Sequence, residues 1–200
     1  FERECNTIGI AAGEAKRFSG IDKIQPPPNP DDFQKYEKTM QMIRGFVDNF
    51  QPGVASWYMR SRPSRSTVNV SIAIMMELKN KGFKVCRFNL DSVFTEIMES
   101  FREGYFETEE AFVGNLLEEK EPQFAVIDTL INDFVGPTKR RMVEELLRKL
   151  YIKGITTIVI GNLDLASFKI GTEKILEDGK VPMVSSDSVQ LIEDMIKGYY

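Results

Sequence analysis

The 200-residue chain contains no histidine. That absence removes Ser-His-Asp and Cys-His catalysis, histidine-ligated metal sites and any imidazole acid or base. An enzyme built from this sequence would have to work by positioning and electrostatics. Cysteine is nearly absent too. Cys5 and Cys86 are too few for a disulfide framework or a zinc site, and Cys86 sits in an apolar strand pattern, as a small core residue does. No apolar run approaches the ~18 residues of a membrane-spanning helix; the longest, such as Ile155 to Ile160, have strand length. There is no excess of positive charge. A net charge of −4 excludes a strongly basic nucleic-acid binder, while leaving room for a local basic patch. No secretory signal pattern opens the chain, so no membrane partner and a cytoplasmic location are expected. The first residue is Phe1, and the chain reads as a mature or trimmed fragment.

What is present fits one domain with a full core. Residues 1–30 read as an irregular N-terminal arm that ends in Pro26, Pro27, Pro28 and Pro30, which favour extended structure over helix. Residues 31–200 read as the folded domain. A helix is expected from about Asp31 to Asn49, with Tyr36, Met40, Ile43, Phe46 and Val47 on one face and Asn29 or Asp31 as its cap. Pro52 and Gly53 punctuate the chain, and an alternation of strands and helices follows. Strands are expected over Val54 to Met59, Lys84 to Leu90, Phe124 to Ile127 and Ile155 to Ile160. Helices are expected over Val68 to Lys81 (closed by Gly82), over Ser92 to Arg102, and after a Thr108 cap. Two more span Pro137 to Lys153 and about Ser188 to Lys197. Four apolar, β-branched strands separated by helices imply an α/β fold whose parallel sheet is covered on both faces.

Ligands of open parallel sheets sit at the carboxyl ends of the strands, so three ends carry the candidate site. One is the loop Arg60-Ser61-Arg62-Pro63-Ser64-Arg65-Ser66-Thr67. The others are Asp128, which follows Phe124-Ala125-Val126-Ile127, and Gly161-Asn162, which follows Ile155 to Ile160.

The order of these parts resembles the bacterial and phage helicase-loader ATPases of the DnaC/DnaI type. Residues 72–85, Ile-Ala-Ile-Met-Met-Glu-Leu-Lys-Asn-Lys-Gly-Phe-Lys-Val, look like the family's first core helix and second strand. Asp91-Ser92-Val93-Phe94 looks like the start of its next helix. Ala125-Val126-Ile127-Asp128 looks like its Walker B strand, and Thr156 to Leu165 like its sensor strand with a polar Asn162. The resemblance covers roughly residues 35–170. It implies a three-layer P-loop NTPase (AAA+) fold with a central parallel sheet, its C-terminal end expected to be incomplete here. It also implies a role in DNA replication beside a replicative helicase or another AAA+ protein.

The departures from the family concentrate in the nucleotide site. A G-x-x-x-x-G-K-[ST] loop cradles phosphate with inward N–H groups, a lysine and a metal-binding hydroxyl. An ungapped count back from Gly82 places Ser61, Ser64 and Ser66 on its glycines, Thr67 on its lysine and Val68 on its hydroxyl. Serine carries a Cβ that disfavours positive φ, threonine brings no charge and valine binds no metal. A two-residue shift instead puts Arg65 on the lysine and Ser66 on the hydroxyl, still without a glycine. Thr129 stands where the family has a second acidic residue, and Ser185 to Ile196 contains no arginine to reach a neighbour's phosphate.

Each candidate has a plain reading beside the functional one. Asp128 is either a ligand of magnesium-bound water or a polar strand end bonded within the protein, and the changed loop favours the second. Asn162 is either a phosphate sensor or ordinary turn chemistry. Arg60, Arg62 and Arg65, near Trp57 and Tyr58, form either an anion or single-stranded DNA contact or a solvated loop. Lys139-Arg140-Arg141 and Glu118-Glu119-Lys120-Glu121 read as solvated helix ends. The expected function is a pseudo-ATPase binding module with a vestigial nucleotide site, no catalytic residue, no metal and no cofactor. Two alternatives stand beside it: an active loader using Arg65, Asp128 and Asn162 with ATP and Mg²⁺, and a transposition accessory protein of the IstB kind.

Overall fold

The computed structural model describes residues 8–60, 66–131, 133–171 and 178–198. Six strands form among them: β1 (Trp57–Arg60), β2 (Val85–Asn89), β3 (Phe124–Leu130), β4 (Phe134–Val135), β5 (Thr156–Gly161) and β6 (Val181–Pro182). Eight α-helices accompany them: α1 (Ala12–Arg17), α2 (Phe33–Asp48), α3 (Ser66–Asn80), α4 (Leu90–Glu103), α5 (Glu109–Lys120), α6 (Pro137–Ile152), α7 (Leu165–Gly171) and α8 (Ser186–Lys197). The central sheet is parallel, in the order β1-β5-β3-β2. β4 and β6 make a separate antiparallel pair.

Alternation along the strands sends side chains to two cores. Val85, Phe124, Val126, Ile158 and Ile160 join Met40, Ile43 and Val47 of α2 and residues 72–76 of α3 on one face. Cys86, Phe88, Ala125, Ile127 and Val159 meet the stripes of α4, α5, α6 and α8 on the other. A strand buried on both faces must be apolar at every position, and β3 and β5 nearly are. Helices α4, α5 and α8 start where short polar side chains satisfy free N–H groups. Asn89 accepts from Asp91 and Ser92, Thr108 from Ala111, and Ser185 from Ser188. Gly104 closes α4 in the left-handed conformation.

Besides the unexpected β4–β6 pair, three local features depart from the pattern expected from sequence. β1 begins at Trp57 because Val54 and Ser56 spend their polar groups outside the ladder. Thr156 Oγ1 donates to the Val54 carbonyl at 2.9 Å, Thr157 N–H to Ser56 Oγ at 2.9 Å, and Ser56 N–H to the Met195 carbonyl at 2.9 Å. The short helices α1 and α7 were not anticipated, being too brief to show a period. The arm also lies on the domain. Ile10, Ala15 and Ile21 are buried in the α2–α3 core, and Tyr36 Oη donates to the Ile24 carbonyl at 2.8 Å.

Candidate nucleotide site

The carboxyl ends of the strands bring the candidate residues to one edge. Arg60 pairs in register with Gly161, and Leu130 lies opposite Gly161 on the other side. The Asn162 N–H donates to the Leu130 carbonyl at 3.0 Å, which fixes Asn162 between the ends of β5 and β3. Thr67, in the first turn of α3, donates its hydroxyl to the Arg60 carbonyl at 3.2 Å. Val68 packs partly buried against the core below it, as an apolar side chain should. Ser61, Arg62, Ser64 and Arg65 lie outside the described residues, and of Ser66 only the backbone is described, as the start of α3.

Asp128 is buried, and both of its carboxylate oxygens are engaged by the protein. Arg87 Nη2 of β2 donates to Oδ2, and Thr129 Oγ1 donates to Oδ1. Side chains on alternate residues share a face, so Arg87 and Asp128 stand on the same side of the sheet as Val126, the register partner of Arg87. Both side chains are about nine-tenths buried, at 9% and 8% exposure. Arg87 also donates through Nη1 to Glu14 of α1 at 3.2 Å, while its Nε is buried with no hydrogen-bond partner. This donor set does not fit a divalent cation. One oxygen of Asp128 faces a guanidinium and the other a hydroxyl donor, and a fixed positive charge beside the carboxylate opposes a second one. Among the described residues no group of three or more potential ligands could hold a metal ion.

Arg87 is the site residue that sequence reasoning missed. Its signal was present: a lone charge inside the apolar strand Val85-Cys86-Arg87-Phe88 requires a buried acid partner, because an unpaired buried guanidinium is prohibitively costly.

The aromatic residues near Arg60 serve the fold. Trp57 packs on Phe46 with ring centroids 4.4 Å apart. Tyr58 donates its hydroxyl to the Leu163 carbonyl and lies directly over Gly161, where a Cβ would overlap the phenol. Glycine is therefore required at the end of β5 by the ring that crosses it. Asp164 caps α7, and its carboxyl is held below the usual range by the backbone and hydroxyl bonds from Ser167. Burial, with Asp164 nearby and Arg60 opposing, pushes the Tyr58 phenol up to about 12. A raised phenol pKa means that the unfolded chain loses this proton first as pH rises. The Tyr58 contribution is thus complete below pH 10 and is lost as pH climbs from 10 to about 12. Alkaline unfolding followed by circular dichroism should show a slope in that window that Tyr58→Phe flattens. An unchanged slope would contradict this assignment.

Several of the remaining charged candidates are paired. Lys139 bonds Asp91, Arg140 bonds Glu144 at 3.0 Å and Arg141 bonds Glu109 at 2.8 Å. Of the three only Arg141 is exposed, while Lys139 and Arg140 are partly buried, Lys139 with its ammonium over the Phe94 ring. The solvated end expected there therefore holds for Arg141 alone. Glu121 of the acidic cluster bonds Lys84 at 2.5 Å. A cleft of about 550 Å³ runs along the outer edge of β1, lined by Met42, Trp57, Met59, Val70 and Ile196 and reaching Arg60. Neither Asp128 nor Asn162 lines it. No helix among the described residues is long and apolar enough to cross a membrane.

No protein-family model matches the chain, and no curated protein matches it in sequence. Solved structures do match. The crystal structure of the DnaC helicase loader superposes with a TM-score of 0.67 at 16% identity, over 95% of this chain and 97% of that one. The DnaI structure gives 0.60 at 14% identity, over 91% and 89%. DnaA from Aquifex aeolicus, solved with AMPPCP, gives 0.58 at 11% identity, over 90% of this chain and 48% of that one. The chain has the α/β P-loop fold of these helicase loaders and of DnaA, an AAA+ protein, as the order of its motifs implied. At these identities the likeness carries the fold and not the activity.

Proposed function

We propose that this chain is a helicase-loader-like module of DNA replication, working in the cytoplasm. It keeps the AAA+ shape to bind a replicative helicase or a related AAA+ partner, and it does not turn over ATP. The observation that carries the reading is the closure of Asp128. On a scaffold that superposes on helicase loaders nearly end to end, the carboxylate at the Walker B position is bound on both oxygens by Arg87 and Thr129. The serines, Thr67 and Val68 on the phosphate-loop positions support it, as does a first helical turn whose Thr67 hydroxyl bonds the Arg60 carbonyl. The family's scaffold without its phosphate chemistry leaves surface recognition as the function the fold can still perform.

Titration calorimetry with ATP and with ADP, each with Mg²⁺, should show no binding, and thermal unfolding should be indifferent to both. A ligand at a hundred times its Kd adds ~2.7 kcal/mol to stability, so micromolar affinity would be evident in either measurement and would overturn the proposal. Magnesium-dependent hydrolysis lost in Asp128→Ala would overturn it as well. Co-purification should recover a replicative helicase; recovery of a transposase instead would redirect the partner.

A further inference from the structure

Arg87 is tied to the N-terminal arm through both its backbone and its side chain. Its N–H donates to the Ile8 carbonyl at 2.8 Å, so the arm continues the hydrogen bonding of the sheet at the free edge of β2. Its guanidinium donates to Glu14 on the arm and to Asp128 at the end of β3. Gly9 sits between these two ties with φ +75°, and a Cβ there would overlap the Arg87 carbonyl. Only glycine lets the arm approach the strand this closely. Ile10 and Ala15 then bury beside it, at 1% and 0% exposure.

We infer that Arg87 is the resident cation of Asp128 and that the arm clamps it there through Glu14, so that the arm and the strand-end carboxylate form one cooperative unit. This rests on the reading that Asp128 serves no nucleotide, and it adds what holds the site shut. A buried guanidinium needs its counter-charges, because the cost of removing it from water is recovered only by close carboxylates. Glu14 is half-open to solvent at 41% side-chain exposure, whereas Asp128 is enclosed. The arm is the outer wall of this ion cluster, and β2 and β3 are its fixed walls. Removing the charge of Asp128 leaves the guanidinium under-compensated, and the relief available is for the arm to lift and admit water. Removing Arg87 instead leaves Asp128 as a carboxylate without its cation, open to a divalent one.

The test uses the full chain with Mn²⁺ as the probe, read by electron paramagnetic resonance, and amide hydrogen exchange at position 87. The wild-type chain should bind no Mn²⁺ at millimolar concentration. Arg87→Met should bind it roughly tenfold or more tightly than wild type, a difference of about 1.4 kcal/mol, and adding Asp128→Asn should abolish that gain. In Asp128→Asn alone, the position-87 amide should exchange roughly tenfold faster than in wild type as the arm loosens. Equal Mn²⁺ binding by wild type and Arg87→Met would overturn the inference. If Arg87→Met does not fold, Asp128→Asn and Glu14→Gln decide it: wild-type exchange at position 87 in both variants removes the clamp. None of these readouts involves nucleotide. ATP binding by the wild-type chain that persists in Asp128→Asn would count against the proposed function alone, and a failure of the clamp without ATP binding would count against this inference alone.

Discussion

Replacing Arg87 by Met lowers the stability of the folded chain by about 3–5 kcal/mol, and adding Asp128→Leu returns most of the loss. Arg87 is 9% exposed and Asp128 8%, so neither charge can be solvated where it lies. The Met variant removes a cation and leaves a desolvated carboxylate held only by the Thr129 hydroxyl. The double variant removes the orphan as well and fills the space with apolar volume, which buried ion pairs commonly tolerate. Glu14, more open to water, follows the guanidinium's loss at lower cost. Urea unfolding of the two single variants and the double variant gives the coupling directly. If the single and double changes simply add, Arg87 and Asp128 are not a pair in solution, and the closed site is lost as an explanation.

Phe124→Ala destabilises the chain by about 3–5 kcal/mol, the range for emptying a fully buried phenylalanine position. Phe124 is 0% exposed at the start of the central strand β3. Its ring stands 5.7 Å from Phe50 at nearly a right angle and 6.1 Å from Phe46. Those rings reach Phe83 at 4.8 Å and Trp57 at 4.4 Å, so one side chain supports the junction of α2, β1 and β2. A cavity there cannot collapse easily, because its walls are strands on one side and interlocked rings on the other. Phe124→Leu should cost markedly less, since most of the volume remains. Thermal and urea unfolding of both variants check this. A loss under about 1 kcal/mol for alanine would mean that the ring cluster repacks freely.

Much of this architecture was legible before any coordinates. The apolar runs at 124–127 and 155–160 are strands because β-branched residues buried on both faces leave little alternative. The stripe Met142, Val143, Leu146, Leu147 and Leu150 makes α6, which begins at Pro137 as expected. Thr108 caps α5 as expected, whereas neither Asn29 nor Asp31 caps α2. Asn29 accepts the Asp31 N–H in a short 3-10 turn at Pro30–Asp32, and Asp32 stands at the start of α2 without a side-chain cap bond. The placement of Asp128 and Asn162 at adjoining strand ends followed from the order of the motifs. The short elements were less visible. α1 and α7 span 6 and 7 residues, too few for a helical period to stand out from chance.

The site divides along the same line. Which residues lie near the strand ends is a property of the chain's own order, because hydrophobic periodicity sets the elements and a parallel sheet sets which ends meet. That residues 61–68 contain neither glycine nor lysine is likewise a property of the chain alone. What Asp128 does there depends on side chains 41 and 114 positions earlier, Arg87 and Glu14, whose pairing no local pattern encodes. Ion pairing acts through space at a few ångströms, so only the packed sheet and the arm folded over its edge could show it. Sequence alone therefore laid out the scaffold and the strand ends that carry the candidate site. The tertiary structure decided that the remaining carboxylate is closed from within, because burial obliges every charge there to find a partner.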